Sequence, residues 1–141
     1  MPPNRILVVD DDPDLTLYLA SFLEDHGFDA AIANSADAAL AALERFAADV
    51  ILVDVLMPGR SGLDLLVGLR HHPRWSATPL VVMTGMDQVL ADDCDSYLGG
   101  HREVRGPDAV IGKPPDPATL LRILAKLLHE PAPPPQPATN A

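Results

Sequence analysis

The chain holds a single cysteine, Cys94, in 141 residues, so an internal disulfide is excluded and a reducing, cytoplasmic setting is expected. Cys94 itself reads as a small side chain on a helix. Aromatic residues are equally scarce, at 4% of the chain against 48% for all hydrophobic types. The core must therefore be built from Val, Leu, Ile and Ala. Basic residues are outnumbered, 10 Lys and Arg against 20 Asp and Glu, for a net charge of −10. Such a surface repels phosphates, which argues against direct nucleic-acid binding and against adhesion to a membrane surface. No apolar run approaches the roughly 20 residues of a membrane span. The start, Met1-Pro2-Pro3-Asn4-Arg5, lacks the apolar region of a secretory signal.

Short apolar runs are what the chain does have. Ile6-Leu7-Val8-Val9 and Val50-Ile51-Leu52-Val53 read as strands buried on both faces. Residues 79–83 and 109–111 are two more, and residues 28–33 alternate weakly, as a strand at or near a sheet edge would. Between them lie helical patterns. Asp12-Pro13-Asp14 is a cap, a first-turn proline and an acid near the positive helix end. It opens a helix with Leu15, Tyr18, Leu19, Phe22 and Leu23 on one face, closed at Gly27. Ser35 caps an alanine-rich helix to about residue 45, and residues 62–70 form a leucine-rich third. A fourth is expected from about Asp87, and Asp116-Pro117 opens a fifth carrying Leu120, Leu121, Leu124, Leu127 and Leu128. Five strands alternating with five helices predict an α/β fold, a parallel sheet with helices on both faces. The expected organisation is one domain over residues 1–130 and a Pro-rich disordered tail or truncated linker over 131–141.

Four of the strands end in chemistry: Asp10-Asp11, Asp54, Thr84 and Lys113. In a parallel sheet these ends share one edge, where ligands bind. Grouped carboxylates repel one another and resist ionisation unless a hard divalent cation sits between them. Mg²⁺ takes few carboxylates and keeps several waters, which suits such a pocket. A lysine and a hydroxyl beside it are the donors that hold phosphoryl oxygens, and Asp54 becomes a candidate nucleophile forming an acyl phosphate. The other acids read more plainly. Asp92, Asp93 and Asp95 form a solvated helix face. His71 and His72 end a helix where cations favour the dipole, and point about 100° apart.

This constellation resembles the receiver domain of bacterial two-component response regulators, through Ile6 to Asp11, Asp54-Val55-Leu56-Met57-Pro58-Gly59 with Gly62, Thr84-Gly85 and Lys113-Pro114. The resemblance covers about residues 4–129. It implies a doubly wound, flavodoxin-like sheet of order 2-1-3-4-5. It implies Mg²⁺ held by Asp10, Asp11, Asp54 and the backbone carbonyl of Leu56. Asp54 would take phosphate from a histidine kinase or histidine phosphotransfer protein, with Thr84 and Lys113 gripping it. Output would be by contact with a downstream protein, not by turnover of a substrate. The resemblance also implies a cis Lys113-Pro114 bond.

Three departures from the family pattern stand out. Val110 occupies the place of the aromatic residue that swings inward on activation. Thr84 and Lys113 are 29 positions apart, longer than usual, with the extra length near Gly99 to Arg105, and Pro115 replaces a phenylalanine. Leu56 and Met86 stand at the positions that line the approach of hydrolytic water in that family, and both are apolar, so slow dephosphorylation is expected. A receiver-shaped binding module whose output ignores phosphate is the alternative that Val110 motivates. A haloacid dehalogenase-type hydrolase uses similar groups, but its nucleophile follows the first strand and its acid pair comes last. Here the acid pair comes first and the fourth position after Asp10 is Asp14.

Overall fold

The computed structural model describes residues 4–54, 62–84 and 107–129. Five strands, β1 (Arg5–Val9), β2 (Asp29–Ala33), β3 (Val50–Asp54), β4 (Leu80–Thr84) and β5 (Ala109–Gly112), form one parallel sheet of order β2-β1-β3-β4-β5. Four helices are described: α1 (Pro13–Asp25), α2 (Ala36–Leu43), α3 (Gly62–His71) and α4 (Pro117–His129). The order and the α/β class are those expected, and the weakly alternating 28–33 stretch is indeed an edge strand. The helix expected from Asp87, Cys94 with the acids around it, the extra length near Gly99 to Arg105 and the 131–141 tail lie outside the described residues.

Successive residues of a strand point to opposite faces, and this alternation divides the core in two. Ile6, Val8, Val50, Leu52, Val81, Met83 and Ile111 pack against Leu19 and Leu23 of α1 and Leu120 and Leu124 of α4. Leu7, Val9, Ile51, Val53, Leu80 and Val82 pack against Ala39 and Leu43 of α2 and Leu65, Leu66 and Leu69 of α3. A strand covered on both sides has no polar face, which is why the apolar runs are continuous. Truncating one of these residues, Leu52→Ala for instance, costs about 2–5 kcal/mol.

The helix starts follow their capping chemistry. Asp12 accepts from the amides of Asp14 and Leu15 ahead of Pro13, and Ser35 accepts from that of Ala38. The Asp116 carboxylate accepts from both the amide and the hydroxyl of Thr119. Gly27 closes α1 at φ +87°, a conformation that glycine adopts without strain. One inward assignment is corrected. Tyr18 is 50% exposed, and Thr16 and Ala20 are buried with Leu19 and Leu23 instead. The face turned to the sheet is thus centred one position away from the aromatic stripe, and Tyr18 stacks on Phe22 at 6.4 Å along the outside.

At the amino edge of the sheet the Arg70 guanidinium pairs with Asp108 at 2.9 Å and donates to the carbonyls of Ser76 and Thr78. Asp108 in turn accepts from the Leu80 amide, so the pair fixes where β4 and β5 begin. Nothing in the spacing of the sequence announced this contact.

Candidate functional site

The strand register places the carboxyl-edge residues. Val9 of β1 pairs with Val53 of β3, so the next residue on each, Asp10 and Asp54, leaves the sheet beside the other. Asp54 pairs with Met83; Thr84 pairs with Gly112, and Lys113 follows immediately. Asp10 is completely buried and Asp54 is 3% exposed, whereas Asp11 lies at the surface. Thr84 is buried at the end of β4. The Lys113-Pro114 bond is cis, as the resemblance implied. The Leu56 carbonyl, Gly85 and Met86 lie outside the described residues.

Contacts join three of these groups. The Lys113 ammonium is 3.1 Å from Asp54 Oδ2 and 2.9 Å from Asp10 Oδ2, bridging the ends of β1 and β3. Burial alone pulls the Lys113 pKa down, but hydrogen bonds to Asp10 and Asp54, with the charges of both, outweigh it and hold it above the ordinary 10.5. Lys113 is therefore a full positive charge at neutral pH.

One ammonium does not balance the pocket. Carboxylate oxygens of Asp10, Asp11 and Asp54 all lie within 4.8 Å of one another. At 4.8 Å and an effective dielectric of ~20, two like charges repel by about 3 kcal/mol. Three carboxylates against one lysine leave two negative charges, which a single divalent cation neutralises. A second observation points the same way. Asp10 Oδ1 accepts hydrogen bonds from the Asp12 amide and from Lys113. Asp10 Oδ2 is close to the ammonium, yet it is buried and receives no directed hydrogen bond. A buried carboxylate oxygen whose charge is met only by a misaligned ammonium has room for a further electrophilic partner, and an oxygen-seeking cation fits that need. Hard all-oxygen donors suit Mg²⁺.

Two residues that no motif singled out also act here. The Asn34 amide donates to the Asp10 carbonyl at 2.8 Å and to the Thr16 hydroxyl at 3.2 Å. The one available signal was position, since Asn34 follows a strand and so stands on the same carboxyl edge. Asp12, by contrast, caps α1 as expected.

A family model described as the response regulator receiver domain matches residues 6–125. The DNA-binding response regulator MtrA of Mycolicibacterium smegmatis is 36% identical over 125 residues, 88% of this chain and 50% of that protein. The transcriptional regulatory protein CpxR of Klebsiella pneumoniae is 38% identical over 101 residues, covering 67% of this chain and 42% of its own. The chain thus spans about half the length of the curated relatives it matches. Among solved structures, Vibrio cholerae chemotaxis protein CheY4 superimposes with a TM-score of 0.76 at 25% identity, covering 89% of this chain and 99% of that one. The receiver domain of a Syntrophus aciditrophicus signal transduction histidine kinase does so at 0.75 and 26%, covering 96% and 98%.

Proposed function

The chain belongs to the response regulator receiver family, and from that premise we propose that Asp54 is its phosphoacceptor in a two-component pathway or phosphorelay. The donor is the phosphohistidine of a partner histidine kinase or histidine phosphotransfer protein. The observation that carries this reading is the Lys113 bridge, which holds a positive charge 3.1 Å from Asp54 Oδ2.

In the step, an Asp54 carboxylate oxygen attacks phosphorus as the P–N bond of the phosphohistidine breaks. The electron pair stays on the imidazole nitrogen, which takes up a proton, and an acyl phosphate forms on Asp54. Lys113 neutralises charge on the phosphoryl oxygens, and the Thr84 hydroxyl donates to them. Asp10, Asp11 and Asp54 would hold Mg²⁺ there, with the Leu56 carbonyl that the family resemblance implies, and the ion would supply the further charge neutralisation such transfers need. The chain is not otherwise an enzyme: self phosphoryl transfer and autodephosphorylation are its only chemistry.

Signalling then proceeds by contact with a downstream protein. The DNA-binding description belongs to relatives about twice as long, and the net charge of −10 argues against direct nucleic-acid contact by this chain. A cytoplasmic location fits the pathway; among the described residues no helix is long and apolar enough to cross a membrane.

Incubation with acetyl phosphate and Mg²⁺ tests the reading. A mass gain of one phosphoryl group, lost in Asp54→Asn and with chelator, is the expected result. No gain favours a second reading, a binding module independent of phosphate. The observation behind that one is Val110, which is 50% exposed on the edge strand β5 and carries no ring to turn inward.

A further inference from the structure

We propose that Asn34 and Thr16 are positioning residues that fix the acid-bearing loop 10–12 in its cation-binding shape. This rests on the reading of the acidic pocket as a Mg²⁺ site.

Asp10 is held by both of its backbone groups at the end of β2. Its amide donates to the Ala33 carbonyl at 3.1 Å, and its carbonyl accepts from Asn34 Nδ2 at 2.8 Å. A carbonyl only accepts, so the amide nitrogen of Asn34, not its oxygen, must face it. The second Nδ2 hydrogen goes to Thr16 Oγ1, whose own hydrogen is committed to the Pro13 carbonyl at 3.0 Å. One neutral side chain therefore ties the two ends of the loop together, through a threonine that is fully buried in α1.

The consequence falls on Asp11. The Asp10 carbonyl lies in the rigid peptide plane that also carries the Asp11 nitrogen and Cα. Fixing that carbonyl fixes the Asp11 N–Cα bond, so only the torsions from that bond outward are left to aim its carboxylate. Asp10 is steadied by Lys113 and the Asp12 amide. Asp11 is exposed and, among the described residues, makes no hydrogen bond or ion pair of its own. Three consecutive acids repel one another, which opens an untied loop. Asn34 resists this without adding a positive charge that would compete with the cation. A lysine at the same place would not do so.

Isothermal titration of the metal-free full chain with Mg²⁺ tests this without recourse to phosphorylation. Asn34→Ala should bind about tenfold more weakly, the scale of lost outer-shell support at metal sites. Thr16→Val should weaken binding in the same direction, Thr16→Ser should restore it, and the Asn34→Ala/Thr16→Val pair should be no worse than Asn34→Ala alone. Ser35→Ala removes the α2 cap next door without touching Asp10 and should leave the affinity as it was. Equal Mg²⁺ affinity in Asn34→Ala and the unaltered chain overturns the positioning role, as does an equal loss in Ser35→Ala. Absence of saturable Mg²⁺ binding by the unaltered chain overturns the metal-site reading itself.

Discussion

Arg70 and Asp108 meet 2.9 Å apart at the edge of the sheet opposite Lys113, with the arginine side chain only 2% exposed. The guanidinium also serves the Thr78 carbonyl at 2.6 Å, and the carboxylate serves the Leu80 amide. Removing one partner of a buried pair leaves the other charge desolvated, at a cost of about 3 kcal/mol. Arg70→Met should lower the unfolding free energy by that amount, read as a lower urea midpoint with an unchanged slope. Mg²⁺ affinity should be unaffected, because the pair lies at the far end of the strands. A loss below about 1 kcal/mol would mean that the Arg70 contacts do not hold the starts of β4 and β5.

Lys113 makes a prediction about alkaline pH. Its folded pKa is raised above the ordinary 10.5, so the charged form is favoured by folding. Its stabilisation is complete below 10.5 and disappears as pH rises through the folded value. Lys113→Met should therefore melt below the unaltered chain at neutral pH, and the gap should close above 10.5. Thermal melts across that range decide it. Mg²⁺ should also narrow the gap at neutral pH, because the cation takes over the charge that the lysine balanced.

Asp12 tests the division of labour among the three consecutive acids. Its carboxylate accepts from the Asp14 and Leu15 amides and so caps α1, while Asp10 and Asp11 face the pocket. Asp12→Ala should cost about 1 kcal/mol of stability, and Asp12→Ser should recover most of it. Neither change should abolish phosphorylation of Asp54. Complete loss of labelling in Asp12→Ser would make Asp12 a pocket residue after all.

The sheet and the pocket were legible because both arise from local signals. Each apolar run ended in the residue that the chemistry needs, and parallel strands bring such ends together whatever lies between them. The contacts without a local signal are of another kind. Arg70 and Asp108 are 38 positions apart and carry no spacing rule. Asn34 carries no motif, and its role appears only once β2 lies against β1. The spacing of Tyr18 from Leu15 and Phe22 fits an inward helix face. The sheet instead accepts the face centred on Leu19 and Leu23, flanked by the small residues Thr16 and Ala20.

The lifetime of the acyl phosphate follows from the groups around Asp54. Hydrolysis needs a water in line behind the phosphorus and a polar group to orient it or take its proton. Asp54 is 3% exposed, and the Lys113 ammonium lies 3.1 Å from its Oδ2. The family resemblance implies that positions 56 and 86 line the approach of water, and here they are Leu56 and Met86, both apolar. Neither can order or activate that water, so phospho-Asp54 should decay over many minutes once the donor is removed. Leu56→Asn introduces an amide able to hold the water and should speed the decay severalfold. Loss of label within seconds in the unaltered chain would show that water is activated by another group. Lys113 is an unsuitable base, because the same carboxylates that raise its pKa keep it protonated.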